Sequence, residues 1–546
     1  MLTRSDTYDG LIAGFRWQVP DFYNIAADVC DRWALADPTR VAIQNRHRDG
    51  TVEEITFQEL RRRADRLANA LAALGVGRGD RVAILLPQMP ETALTHLATY
   101  KLGAVALPLA ALFGVEALEY RLANAGAKAI VTDRAGLEKI AEIRECLPEL
   151  ETVLSVEEGG DEPFAGVLRL SDVMARASDR FETVATRADD PALMIYTSGT
   201  TGPAKGALHA HRVLLGHLPG VEMPHEFLPQ PGDRFWTPAD WAWAGGLLNV
   251  LLPSLHFGIP VVAYRADKFD PEEALALMAD MKVANAFIPP TALKILRAVE
   301  RPRERFNLAI RSIGSGGESL GREVYEWAHE GLGLTINEFY GQTECNLVLS
   351  SCAKIGVSRA GAIGKPVPGH HVAVIGAEGE VLPAGKKGQI AVARPDPVMF
   401  LEYWKRPEAT EQKFVGDWML TGDQGVMDAD GYFHFVGRDD DVITSAGYRI
   451  GPGEIEDCLI AHPAVALAAV VGKPDAVRTE IVKAYIVLKE DAEATPELAQ
   501  EIRHYVRTRL AAHEYPREIA FVESLPMTTT GKVIRRILRE QARAEA

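Results

Sequence analysis

The stretch YTSGTTGPAKGALHAH, residues 196–211, sets the hydroxyls of Thr197, Ser198, Thr200 and Thr201 among Gly199, Gly202 and Gly206, with one cation at Lys205. These types suit a polyphosphate. Hydroxyls and exposed backbone N–H groups donate to its oxygens, glycines admit the backbone closely, and an ammonium neutralises charge. The stretch is not a Walker A loop, which needs G-x-x-x-x-G-K-[ST]: Lys205 follows Ala204 and precedes Gly206, and Pro203 is inserted. The apolar ALMIY before it reads as a strand and HRVLLGHL after it as a helix, so the expected setting is strand, loop, helix. The same composition suits an ordinary flexible turn, and the residues alone leave both readings open.

Five later segments also carry polar groups capable of chemistry: GSGGESL (314–320), YGQTE (340–344), TGD (421–423), GRDDDVITSAGYRIGPGEIE (437–456) and PMTTTGKVIRR (526–536). Singly, each has a plain reading: a Thr-Glu pair on a surface, an aspartate in a turn, a solvated lysine before a terminal helix. In this order, and over essentially the whole chain, they resemble the adenylate-forming superfamily of acyl-CoA synthetases, luciferases and peptide synthetase adenylation domains. The likeness is greatest to short- and medium-chain acyl-CoA synthetases.

That resemblance implies a two-step reaction. A carboxylate attacks the α-phosphate of ATP to give acyl-AMP and pyrophosphate, and a thiol then displaces AMP. Thr197, Ser198, Gly199, Thr200, Thr201, Gly202 and Lys205 are then expected around the β- and γ-phosphates. Gly316, Gly317 and Glu318 match the segment lining adenine, Tyr340 the ring stacked on it, Thr343 the α-phosphate contact, and Glu344 the carboxylate that holds Mg²⁺. Asp423 and Arg438 match ribose contacts. Lys532 matches the lysine that bridges carboxylate and α-phosphate, where a compact ammonium stabilises developing charge. Asp440 matches a pivot about which the small domain turns between half-reactions, and Gly447 the residue beside the pantetheine channel. Arg449 is matched to a phosphate contact or the domain interface, and Glu456 is either a matched position or a helix-surface charge.

The segment WTPADWAWAGG carries Trp236, Trp241 and Trp243; the family match assigns Trp243 to the acyl pocket, although clustered tryptophans are ordinary core residues. Where acetyl-CoA synthetases carry a tryptophan before Q-T-E, this chain has Gly341. A missing indole is expected to leave room for a short branched, medium-chain or small aromatic acid. Cys345 and Asn346 stand where the family most often has a small hydroxyl residue and glycine, which leaves the pocket's shape beside the carbonyl open; Cys345 reads as a packing residue. Coenzyme A is the expected acceptor, because the chain ends soon after the Lys532 motif without a carrier domain. A separate carrier protein, or a noncatalytic adenylate sensor, are the alternatives. Lys532 also sits in a setting acetylated in some family members, which makes a lysine acetyltransferase an expected partner.

These groups need elements to hold them. ITFQELRRRADRLANALAALG pairs a capping box, Thr56 and Glu59, with apolar residues at helical spacing, and Val82–Leu86 follows as a buried strand. Similar helix–glycine–strand units recur past residue 340, which predicts a layered α/β architecture with largely parallel sheets. After about residue 360, short alternating segments between glycines and prolines predict a small antiparallel β subdomain. The expected division is a large domain over 1–437 and a small, mobile α+β domain over 438–546; the charged run 438–441 reads equally as a hinge or as a plain solvated loop, and the family's pivot matches Asp440 within it.

With 546 residues, the chain is too long for one core at about 150 residues per domain. Its 47% apolar and 25% charged content is that of a globular protein. A net charge of −16 disfavours nucleic acid as a partner. Five cysteines without CxxC spacing fit a reducing compartment, and the absence of a long apolar run predicts no membrane span and a cytoplasmic location.

Overall fold

The structure is a computed structural model and describes residues 1–157, 165–197, 203–266, 268–438, 441–445, 448–475, 478–510, 515–528 and 532–545. The first long helix, Phe57–Ala73, begins because the Thr56 hydroxyl accepts the N–H of Glu59 at 3.3 Å. The expected box does not close reciprocally: the Glu59 carboxylate instead accepts from Arg63 Nε at 2.8 Å. Gly75 ends the run at φ +89°, a conformation that spares it the Cβ penalty. Phe57, Leu60, Ala64, Leu67 and Leu71 form the buried stripe, and strand Arg81–Leu85 follows one turn later.

Among the described residues the strands form four sheets. An eight-stranded sheet runs Glu402–Tyr403, Lys205–Ala210, Pro191–Thr197, Val105–Pro108, Arg81–Leu85, Ala127–Thr132, Thr152–Ser155 and Val167–Arg169. It is parallel from Pro191–Thr197 outward through Val167–Arg169. A nine-stranded sheet has Phe235–Trp236 at its middle, flanked in parallel by Asn285–Phe287 and Val261–Tyr264. The two share one apolar core: Ile43 and Val261 from one sheet meet Val82 and Leu193 from the other, with helical Leu60, Leu97 and Leu251 among them. Sheets covered in this way stay apolar on both faces, which is why their strands read as nearly unbroken apolar runs.

Beyond residue 370 the texture changes as expected. Val372–Ile375, Lys387–Ala393, Trp418–Met427 and Phe414–Val415 pair antiparallel, with Phe433–Arg438 added to Trp418–Met427. The last sheet joins Tyr448–Ile450, Ile443–Ser445, Thr479–Leu488, Val465–Asp475 and Glu518–Phe521. It has cores of its own on its two faces. Ile455, Leu459, Ile502 and Val506 cover one, while Leu538 and Ala542 of helix Arg535–Ala544 cover the other.

One expectation changes. The segment after Thr197 does not run from strand to helix. Pro191–Thr197 and Lys205–Ala210 are antiparallel neighbours, with Thr197 paired to Lys205, and helix Val213–Glu222 starts only afterwards. The segment therefore joins two antiparallel strands, and a helix N-terminus does not follow it directly. No described helix is long and apolar enough to cross a membrane.

Candidate active site

The YGQTE segment is itself a hairpin tip. Strand Ile336–Gln342 turns back into Cys345–Ser350 with Gln342 opposite Cys345, which leaves Thr343 and Glu344 as the two corner residues. A two-residue connection fixes register tightly, so both side chains are presented in one place by the sheet behind them. The ladder is interrupted at Gly341: Tyr340 pairs with Leu349, yet Gln342 pairs with Cys345, so Asn346–Val348 bulge opposite a single residue. A Cβ at 341 would lie 2.5 Å from Asn346 Oδ1 and 2.7 Å from Asn346 Cα. The room expected from the missing indole is thus filled at that point by Asn346, whose amide donates to Asn249 Oδ1 at 2.9 Å.

Tyr340, Asp423 and Arg438 form one wall. The Tyr340 hydroxyl donates to Asp423 Oδ2, and Arg438 Nη1 lies 3.8 Å from Asp423 Oδ1. Strand pairing sets Asp423 directly across from Arg438, and the Asp423 N–H donates to Thr421 Oγ1 at 3.1 Å. Burial raises the Asp423 carboxyl above its ordinary value, against the pull of Arg438. The glycines behave differently from one another. A Cβ at Gly316 would strike the Phe339 ring and carbonyl at 2.5 Å, whereas Gly317, at φ +99°, has only the end of Lys532 nearby. Glu318 accepts from Thr291 Oγ1 at 2.8 Å.

Lys532 arrives at this wall from the segment between strand Glu518–Phe521 and helix Arg535–Ala544. Its segment is closed by a bridge between Met527 and Val533, by Thr528 N–H donating to the Lys532 carbonyl at 2.7 Å, and by Lys532 N–H donating to Thr528 Oγ1 at 3.0 Å. The Nζ would lie 3.9 Å from a Cβ at Gly317. Its side chain keeps contact with solvent, yet the surrounding protein holds the ammonium below the ordinary lysine range. Burial is the main cause, Arg438 adds to it, and Glu318 and Asp423 oppose it. Lysines depressed in this way mark sites where a charge is used.

Glu344 is buried and accepts a hydrogen bond from the Tyr403 hydroxyl. Lys205 Nζ lies 5.0 Å from the centre of the Tyr403 ring, and the Thr197 hydroxyl reaches the Lys205 carbonyl at 3.5 Å. Tyr403 therefore joins Lys205 to the hairpin tip through its ring face and its hydroxyl. Sequence reading passed over it, and also over Lys413, which donates to Gln342 Oε1 at 2.7 Å. Neither lies in a recognisable motif; a strand of two residues, Glu402–Tyr403, and the turn before Phe414–Val415 give no periodicity to find.

Trp243 is half-buried and meets Phe113 edge-on at 5.6 Å, whereas Trp236 and Trp241 are buried core residues. Cys345 is buried, and burial pushes its thiol far above the ordinary range, as suits a packing residue. Glu456 is not the surface charge that was one of its two readings: it accepts from Arg535 Nη2 at 2.6 Å and from the Val470 N–H at 2.8 Å. Ser198, Gly199, Thr200, Thr201, Gly202, Asp440 and Gly447 lie outside the described residues, as does the side chain of Arg449.

Comparison with known proteins gives this geometry its family. Residues 30–404 match the AMP-binding enzyme family and residues 454–532 its C-terminal domain. The acetyl-coenzyme A synthetase of Bacillus subtilis is 36% identical over 493 residues, 89% of this chain and 85% of the relative. The mitochondrial acyl-coenzyme A synthetase ACSM3 of Rattus norvegicus is 34% identical over 98% of this chain and 93% of its own. Among solved structures, the anthranilate CoA ligase AuaEII with anthranoyl-AMP superposes with a TM-score of 0.88 at 30% identity, covering 96% of this chain and 98% of that one. With family models over both parts of the chain and such relatives along nearly all of it, the protein belongs to the AMP-binding enzyme family and is an AMP-forming acid–CoA ligase.

Proposed function

We propose that the acid is short and branched, medium-chain or a small aromatic, and that the groups around the Thr343–Glu344 tip form the adenylation site. The observation carrying this reading is that Lys532, from the segment before the terminal helix, lies against Gly317 and within the charge field of Glu318, Asp423 and Arg438. A lysine so placed neutralises the carboxylate oxygen and the α-phosphate as they approach. The carboxylate oxygen forms a bond to phosphorus while the bond to pyrophosphate breaks. In the second step the thiol sulfur bonds to the acyl carbon, AMP leaves with the electron pair, and the thiol proton passes to solvent.

In this reading Thr343 donates to the α-phosphate, Tyr340 and the glycine segment flank adenine, Asp423 and Arg438 take the ribose hydroxyls, and Lys205 with its loop takes the outer phosphates. Glu344 fits a hard divalent ion: it is a buried carboxylate with one oxygen held by Tyr403, the kind of single ligand Mg²⁺ accepts beside phosphate oxygens and water. Bound there, Mg²⁺ supplies charge neutralisation on the polyphosphate.

The relatives named for acetate, anthranilate and, in Burkholderia xenovorans, benzoate define the range to test. The half-buried Trp243 against Phe113 gives an apolar aromatic wall that favours acids larger than acetate. The test is pyrophosphate release with ATP and Mg²⁺ across acetate, isobutyrate, hexanoate, octanoate, benzoate and anthranilate, with and without coenzyme A. Turnover that requires coenzyme A and peaks above acetate supports the reading; turnover with acetate alone overturns it.

A further inference from the structure

Lys413 lies in the turn between helix Pro407–Glu411 and strand Phe414–Val415, 71 positions from the residue it holds. Its ammonium donates to Gln342 Oε1 at 2.7 Å, and the other end of the same amide, Nε2, donates to the Thr421 carbonyl at 2.9 Å. Gln342 is therefore pinned at both ends. It is the residue immediately before the Thr343–Glu344 corner, and Thr421 is two residues before Asp423, whose N–H is anchored on the Thr421 hydroxyl.

A side-chain amide fixed by a single bond still pivots about it. Fixed at oxygen and nitrogen together, it has one orientation, and the strand carrying it is tied to the strand carrying Asp423. The tie uses a costly group. Lys413 is half-buried, and burial holds its ammonium below the ordinary lysine range although Glu344 and Asp423 pull it the other way. A neutral donor would hold Gln342 without that cost. Only a cation also offsets the charges of Glu344 and Asp423, both of which act on it.

Resting on the adenylation site proposed above, we infer that Lys413 is a positioning residue of the first half-reaction. Through Gln342 it locks the Thr343–Glu344 corner against the Thr421–Asp423 strand, so that the groups expected at the α-phosphate and at the ribose are held in one frame. It touches neither substrate nor the reacting atoms.

The test uses the full chain with Lys413→Met, Gln342→Met, the double variant and Lys413→Arg. Hydrogen–deuterium exchange of peptides covering 336–350 is the first readout. Both single methionine variants speed exchange there about tenfold with the other sheets unchanged, and Lys413→Arg stays near wild type. The second readout is ATP-dependent pyrophosphate release with the fastest acid of the panel above. There kcat falls about tenfold in either single variant with KM for ATP within about threefold, the double variant is no worse than a single one, and Lys413→Arg recovers most of the rate. An unchanged hairpin, a rise in exchange spread over the whole molecule, or additive losses in the double variant overturns the inference. If wild type turns over none of the acids, the substrate reading fails, and the exchange experiment still decides the role of Lys413.

Discussion

A single ammonium in a crowded cleft makes the sharpest demand at the scale of residues. Lys532→Met is expected to slow acyl-AMP formation by about 10²–10³, the usual cost of removing one preorganised donor. Thioester formation from supplied acyl-adenylate and coenzyme A retains most of its rate, and measuring the two half-reactions separately checks this. The pH dependence has a definite sign. Because the charged form is the useful one and its pKa lies below the ordinary lysine value, acyl-AMP formation declines as pH rises through that lowered pKa, earlier than an ordinary lysine would impose. The thioester half-reaction lacks this limb. Rate profiles of both halves from pH 7 to 10 make the comparison. The role expected of Lys532 comes from its motif, since PMTTTGKVIRR is distinctive in type and order. Its lowered pKa was not legible there, because burial by residues two hundred positions away leaves no local trace.

At the scale of elements, the bulged hairpin governs what position 341 tolerates. Gly341→Trp forces a side chain into the place of Asn346 and is expected to destabilise by about 1–3 kcal/mol as overpacking. Gly341→Trp with Asn346→Gly restores most of the loss and shifts preference toward smaller acids; thermal melts and the acid panel read both effects. A second element-scale test concerns helix Arg535–Ala544. Arg535 joins Glu456 at 2.6 Å, and Arg539 joins Asp441 at 2.7 Å, tying this helix to the segment beside the expected hinge. Arg535→Met leaves Glu456 with its charge buried and is expected to cost about 3 kcal/mol, visible in denaturant unfolding. Here the sequence spoke unevenly. The helix Phe57–Ala73 and its strand were legible because periodicity and a cap coincide. The strand Lys205–Ala210 was not: KGALHA is short, carries a lysine and a histidine, and flows into a helix, so its pairing with Pro191–Thr197 emerges only from register.

At the scale of the whole molecule, a carboxylate of the nine-stranded sheet feels the charge of one on helix Pro452–Ile460. Glu338, on the strand that ends in the hairpin tip, has its carboxyl pushed up to about 8, by burial first and by Asp457 of helix Pro452–Ile460 second, against the opposing hydrogen bond from the Leu320 N–H. A folded pKa raised above the ordinary 4.5 means the folded state binds the proton more tightly. The resulting stabilisation is complete below about pH 4.5 and is lost as pH rises through about 8. Raising the pH from 7 to 9 is therefore expected to lower the melting temperature, while Glu338→Gln flattens that dependence. Differential scanning calorimetry across this range checks both. The layered α/β plan and the change of texture after residue 360 were legible because sheets covered on both faces and glycine-punctuated antiparallel strands differ in composition. Glu338 was invisible, since only the assembled molecule brings it near Asp457.

The bulge opposite Gly341 also sets a direction for evolutionary change. Two positions, 341 and 346, compete for one volume, so the bulk at this point of the hairpin can be moved between strands but not doubled. A lineage passing from this arrangement to one with a tryptophan at 341 crosses an intermediate that is either hollow, with glycine at both positions, or crowded. The hollow route is the passable one, and it exposes the Asn249 amide that Asn346 now engages. Packing in such a lineage is lost before it is regained, so the intermediate is less stable than either end.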